Sequence, residues 1–563
     1  MTPSPSALNR LPARTPDGQA RRRALQGMAG DQPTPPAQVD YHSGGSLLII
    51  GEGARAGAAA RVLARRLSCA VLATDGAIPP DLPGGVQGLR GYPSQLQGHL
   101  GAFRVTLGAG GQTVDAGSLL DPPREAFDLI LDLCEPACIE AEIPPPGYFA
   151  TGGREDALSR TLVQLPEMTG DFEKPRYFGY DPDICAHGRS GLRGCTRCLQ
   201  ACPTGAIQSL GEQVEVDPYL CQGAGSCGTV CPTGAIHYAF PPAADHLDLL
   251  RTALGAYRSA GPDSPAQILF HDAGSEPSLA ADLADGLPEN LLPVQVEDVG
   301  AVGMDLWLAA LAYGAARVVL LLPAAMPARE RRALREQRDY AGAVLAGMGY
   351  ADGQVALLES DPQQTSLVDF LARAPGAAVA APATFAALGE KRTTVRLALD
   401  HLHGQAPVDA AVAPLPAGAP FGEVRVDRDA CTLCMACVSV CPTSALLDGG
   451  ESPALRFVEQ NCVQCGLCAA ACPESAVALH ARLLYDRERA GTPRTLHEET
   501  PFNCVACGRP FATRRMMDRM AEKLAGHWMF QTPEARRRLQ MCEDCRVRDL
   551  FAQEGGFDVH RGS

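Results

Sequence analysis

Between Cys431 and Cys472 the chain carries CTLCMACVSVCP and then CVQCGLCAAACP, two copies of one cysteine spacing. Three thiolates two residues apart can close on one iron cube, while a fourth just before proline reaches a neighbouring one; CxxCxxCxxxCP is the run that holds paired 4Fe-4S clusters. The spacing assigns Cys431, Cys434, Cys437 and Cys472 to one cluster, and Cys462, Cys465, Cys468 and Cys441 to the other. Zinc, the rival for any four-thiolate set, has no use for a paired and crossed arrangement. Pro442 and Pro473, lacking an N–H, end the short ligand helices.

A second block, Cys185 to Cys231, is the same module with two departures. GCTRCLQACPTGAI supplies Cys195, Cys198 and Cys202, but Leu192 stands where the first cysteine belongs. Cys185 lies further back, so the loop AHGRSGLRG must fold round to deliver it, with Gly188, Gly191 and Gly194 easing the excursion. In CQGAGSCGTVCPTGAI, Ala224 occupies the second ligand position and cannot bind iron. Crossed ligation then gives Cys185, Cys195, Cys198 and Cys231 for a 4Fe-4S cluster and leaves Cys221, Cys227 and Cys202 for a 3Fe-4S cluster or an incomplete 4Fe-4S one. A lost cluster is the alternative. The turn after each fourth cysteine repeats as CPTGAI, CPTGAI, CPTSAL and CPESAV, so the two blocks are an internal repeat.

Cys504, Cys507, Cys542 and Cys545 form a third set, CVAC and CEDC separated by a helical stretch. Four thiolates with no open position make the usual structural zinc site, and a rubredoxin-type iron is the rival. The intervening ATRRMMDRMAEKLAGH and Arg536–Arg538 are the most basic part of the chain, read as a solvated helix face or a docking surface. Cys69, Cys134 and Cys138 read as small buried apolar residues.

The elements that must position these thiols follow from the gaps. SLLIIG, GARAGAAARVLARRL and CAVLATD read as strand, helix, strand, and REAFDLILDLCE as a further buried strand. Gly51, Gly53 and Ala56 in the turn, with Asp75 ending the next strand, have the form of a dinucleotide fingerprint, for flavin or NAD, or a vestige of one. From Gln267 onward QILFHD, ARVVLLLP, QVALLES and AAVAAPAT alternate with helical stretches, which argues for a parallel α/β sheet. The expected architecture is α+β and α/β multidomain. It comprises a disordered leader (1–45), a Rossmann-like domain (46–170), ferredoxin-like module A (171–242), a cysteine-free parallel α/β domain (243–418), ferredoxin-like module B (419–482) and a four-cysteine zinc module (498–550).

Composition narrows the function classes. A formal net charge of −15 disfavours a nucleic-acid partner and suits docking on basic redox proteins. The apolar runs are far shorter than the roughly 20 residues of a membrane span. Arg21–Arg23 are followed by GMAGDQPTPPAQVD and not by an apolar export segment, so a cytoplasmic protein is expected. Abundant thiols without an extracellular signature point to metal ligation and not to disulfides.

Two stretches, CAHGRSGLRGCTRCLQACPTGAI and FNCVACGRPFATRRM with LQMCEDCRV, resemble the large 4Fe-4S binding proteins that accompany molybdenum formate dehydrogenases in proteobacteria. That resemblance implies an electron-transfer or accessory role beside the enzyme, with no substrate chemistry and no catalytic residues of its own. VEDVGAVGMDLWLAALAYGAARVVLLL is similar to the delta-type subunit that passes electrons from hydrogenases to heterodisulfide reductase, but that family's cysteines are missing here, so a spacer is expected. The nucleotide-like turn resembles the flavin domain of heterodisulfide reductase in its first βαβ. Three functions follow: a relay of single electrons serving a formate dehydrogenase, a maturation factor for that enzyme, or a flavin-dependent oxidoreductase subunit.

Overall fold

The computed structural model describes residues 11, 13–28, 35, 37–109, 112–275, 279, 287–359, 367–386, 389–450 and 452–553. It is a multidomain α/β structure with two parallel sheets. Among the described residues no helix is long and apolar enough to cross a membrane.

The chain enters through helix α1 (Pro16–Met28) and strand β1 (Gln38–Ser43). Strands β2 (Ser46–Gly51), β3 (Ser68–Ala73), β4 (Gln87–Arg90), β5 (Leu129–Asp132) and β6 (Tyr148–Ala150) form one sheet in the order β4-β3-β2-β5-β6, every pair parallel. Helix α2 (Gly53–Leu63) buries Ala56, Ala59, Ala60 and Leu63 against one face. The other face is closed by Phe103, Val105 and Phe127. Leu47, Leu48, Ile49 and Ile50 alternate between these two cores, which is why β2 reads as an unbroken apolar run. Strand β7 (Gly170–Pro175) pairs antiparallel with β1 and leads into module A.

Module A is built on a two-residue hairpin, β8 (Gly188–Arg189) and β9 (Leu192–Arg193), and two short helices, α3 (Arg197–Ala201) and α4 (Ser226–Val230). Helix α5 (Ala243–Ser259) opens the middle domain. Its parallel sheet comprises β10 (Gln267–His271), β11 (Leu291–Gln295), β12 (Arg317–Leu322) and β13 (Val355–Glu359), ordered β11-β10-β12-β13. Helix α6 (Met304–Ala312) is buried along its whole length, between the sheet, α7 (Ala328–Gly347) and α8 (Lys391–His403).

Three expectations are corrected. The leader expected to be disordered is in part a helix: Ala20 and Ala24 of α1 pack on Leu250, Leu254 and Tyr257 of α5. Glu289 accepts from the N–H groups of Arg14 and Thr15 at its start. Two alanines four residues apart make an apolar stripe too narrow to stand out in an Arg- and Gln-rich segment. Residues 1–10, 12, 29–34 and 36 of that leader lie outside the described residues. AAVAAPAT is no strand: Pro375 precedes it, Pro382 lies within it, and its backbone is satisfied instead by Gln354, Gln405 and Ala312. The missing strand is β11, whose central Pro293 disguised it; at the sheet edge a proline costs no ladder bond on its outer side.

Module B contains β14 (Gly422–Val426), helix α9 (Ala436–Ser439), helix α10 (Leu467–Ala470) and β15 (Val477–Leu484), with β14 and β15 antiparallel. The last cysteines lie in the turn of a hairpin (Pro501–Asn503 with Pro510–Thr513) and at the start of helix α12 (Glu543–Gln553), with helix α11 (Arg514–Leu524) between them.

Candidate metal centres

The CxxCxxC loops of module B wind through left-handed residues: Leu433, Met435 and Gln464 have φ of 53°, 59° and 54°, and Gly466 has 88°. These turns aim successive thiols inward. Cys431, Cys434 and Cys437 are joined by Cys472, arriving from the other half, around a small cavity of about 20 Å³ closed by Leu433, Leu455 and Val477. Cys462, Cys465 and Cys468 are joined by Cys441 around a second of about 20 Å³, closed by Val424, Leu446 and Leu479. Equivalent N–H bonds reach the two crossing sulfurs, Ala445 N to Cys441 Sγ and Ala476 N to Cys472 Sγ, each 3.3 Å. Burial pushes the Cys437 thiol up to about 12 and Cys465 to about 11. Four thiols converging on an apolar pocket fit a positively charged iron core.

Module A repeats this geometry with its own solution for the missing cysteine. Ser190 and Gly191 both have positive φ, 54° and 74°, turning the chain between β8 and β9. The hairpin is tied back by Gly194 N to His187 O and Cys195 N to Ala186 O. His187 bonds the Cys195 carbonyl through Nδ1 and Ser209 Oγ through Nε2. Cys185 thereby joins Cys195, Cys198 and Cys231 on one cavity of about 20 Å³, while Leu192 is paired with Arg189 in the hairpin. The three remaining thiols also converge: Cys227 is raised well above its ordinary range, first by burial and then by Cys221 and Cys202. Ala224, between Cys221 and Cys227 in the chain, is buried. Its segment is pressed under the middle domain, for a Cβ on Gly225 would stand 2.5 Å from Ala301. Lys174 Nζ donates to the Cys221 carbonyl at 2.6 Å.

Modules A and B touch at their cysteine loops. A Cβ on Gly194 would lie 2.7 Å from Leu467 Cγ, and these residues immediately precede Cys195 and Cys468. The Cys465 thiol feels that of Cys195, Cys468 feels Cys437, and Cys227 feels Cys198. The middle domain braces this contact. Arg392 donates to Pro232 O of module A and to Gln460 O and Cys462 O of module B. Lys391 Nζ donates to the carbonyls of Gly228 (2.7 Å) and Thr229 (2.5 Å) near the end of α4, where a cation complements the helix dipole.

The ligand atoms of Cys504, Cys507, Cys542 and Cys545 lie within 4.8 Å of one another. Cys507 and Cys542 sulfurs are 3.7 Å apart, close to the roughly 3.8 Å edge of a tetrahedron with 2.3 Å zinc–sulfur bonds. Against the raising effect of burial, N–H groups of Cys542, Cys507 and Ala506 hold the Cys504 thiol down to about 6. The basic helix α11 is used within the molecule: Arg519 and Lys523 pair with Glu474, which lines the Cys431 cavity, and Arg515 with Glu499.

The nucleotide-like turn is closed by the chain's own loop. Gly53 N donates to Asp75 Oδ1 at 3.1 Å, and a Cβ on Gly53 would meet the Ala77 carbonyl at 1.8 Å. The N-terminus of α2, with Gly51 and Ala56 beside it, is therefore filled by the chain's own loop, and these residues do not fit a bound dinucleotide. Cys69 is buried in the sheet as expected of a small apolar residue, whereas Cys134 and Cys138 meet Asp132, which their spacing alone did not signal.

Residues 423–473 match the family model of a 4Fe-4S dicluster domain, and residues 193–235 match a second 4Fe-4S dicluster domain model. No curated protein matches the chain. The chain therefore contains two 4Fe-4S dicluster domains and binds iron–sulfur clusters.

Proposed function

We propose that the protein is a relay of single electrons whose two modules form one continuous path. Bound iron–sulfur clusters supply one-electron chemistry; the chain's part is to hold, insulate and order them. Cys431, Cys434, Cys437 and Cys472 hold one 4Fe-4S cluster, Cys441, Cys462, Cys465 and Cys468 a second, and Cys185, Cys195, Cys198 and Cys231 a third. Cys202, Cys221 and Cys227 hold a 3Fe-4S or incomplete 4Fe-4S cluster. Cys504, Cys507, Cys542 and Cys545 hold zinc.

The observation that carries the reading is the Gly194–Leu467 contact. Separate storage sites would not need their cysteine loops packed together, whereas a relay does. It gives the order Cys202 set, Cys185 set, Cys462 set, Cys431 set, with α11 covering the far end through Glu474. The resemblance of the module A loop and the C-terminal set supports a formate dehydrogenase as the partner. The filled turn at Gly53 speaks against a flavin subunit.

The test is anaerobic purification with iron, sulfide and zinc quantification, followed by reduction with formate and the partner dehydrogenase. The relay requires all clusters to be reduced at the enzyme's turnover rate, with EPR signals broadened by coupling between the modules. Reduction by dithionite alone would favour the maturation factor.

A further inference from the structure

Asp132, Cys134 and Cys138 lie outside every site described above. Strand β5 ends at Asp132, and the sheet order β4-β3-β2-β5-β6 makes the gap between the C-terminal ends of β2 and β5 the switch point, where open parallel sheets bind ligands. With the fingerprint turn on the β2 side filled, the β5 side still carries donors. The Asp132 carboxyl is fully buried, and the sulfurs of Cys134 and Cys138 lie with one of its oxygens within 4.8 Å of each other.

The loop is shaped to keep them there. Asp132 Oδ1 accepts from Cys134 N at 2.8 Å, and Oδ2 from Cys138 N at 2.6 Å and from the Tyr148 hydroxyl at 2.5 Å. Among the described residues no Lys, Arg or His forms an ion pair with Asp132. A buried carboxylate against two thiols is short of a positive charge, and the thiols give a soft or borderline cation two sulfur donors.

We propose that Asp132, Cys134 and Cys138 bind one zinc-class divalent cation through two thiolates and one carboxylate oxygen. Binding releases the two thiol protons, and the fourth position is left to water or a small ligand, the pattern of an open site. Cys138 is partly exposed and Tyr92 beside it is half exposed, which gives the ion its way in.

The experiment compares the full chain with a C134S/C138S variant and with Asp132→Asn, each given excess zinc and desalted anaerobically. The expected result is about one zinc per chain fewer in C134S/C138S, with iron content and visible cluster absorption unchanged, which shows that the fold is intact. Cobalt(II) added alone should give a thiolate charge-transfer band that is weaker in the double variant, which keeps only the Cys504 set, and that Asp132→Asn shifts. Equal zinc in wild type and double variant, or recovery of Cys134 and Cys138 as a disulfide under anaerobic handling, would overturn the proposal.

Discussion

Arg392 is the bolt between the two modules, and Arg392→Met is the most direct perturbation of the relay. Its guanidinium makes four bonds to carbonyl oxygens, to Pro232 (3.2 Å), Pro420 (3.3 Å), Gln460 (2.8 Å) and Cys462 (3.2 Å). At about 1.5 kcal/mol for each bond from a charged donor, these contribute about 6 kcal/mol. Burial, helped by Arg396, brings the guanidinium from its ordinary 12.5 down to about 10, a desolvation cost of about 3 kcal/mol. The difference, about 3 kcal/mol, is what methionine forfeits, since its stem can still cover Phe421. Hydrogen exchange followed by mass spectrometry should show amides around 228–234 and 459–465 exchanging about a hundredfold faster, with the middle-domain sheet unchanged. The reduced EPR spectrum should lose coupling between modules while iron content stays constant. Unaltered protection at both segments, or equal loss throughout the chain, would refute the bracing role.

Other expectations are more local. Ala224→Cys should add about one iron per chain and abolish an oxidised 3Fe-4S EPR signal; an unchanged spectrum would mean that the Cys202 set holds no cluster. Cys185→Ser should remove about four irons, and adding Leu192→Cys should not restore them, because Leu192 is held opposite Arg189; rescue would show that the hairpin rearranges. Glu330 is 1% exposed, its carboxyl raised from its ordinary 4.5 by burial and then by Asp298. The folded chain thus keeps a proton that the unfolded chain releases. This stability is fully present below the ordinary value and falls as pH rises toward the raised one. Urea midpoints at pH 6 and 9 should therefore differ more for wild type than for Glu330→Gln, and identical slopes would contradict a buried acid.

Much of module B was legible because its ligands are local. Spacing of two and three residues, proline after the fourth cysteine and the repeated CP turn act within a few residues, so Cys431–Cys472 converge as their pattern implies. The parallel sheets were legible for a similar reason, since runs such as RVVLLL are buried on both faces. Cys185 was legible by elimination only, as the cysteine left over when Leu192 took its place.

What tertiary structure alone decided is which distant segments share space. No spacing rule links Gly194 to Leu467, or Arg392 to both modules; those approaches depend on how α8 seats against α6 and on glycine leaving no side chain in the way. The fingerprint at Gly51–Ala56 is a local signal that a non-local event cancels, the Asp75–Ala77 loop folding onto the helix start. Asp132, Cys134 and Cys138 show the reverse, three residues unremarkable in sequence that gain a shared centre because a parallel strand ends beneath Tyr148. Sequence fixes chemistry where donors are chain neighbours; packing, which sums many weak contacts across the whole chain, fixes it everywhere else.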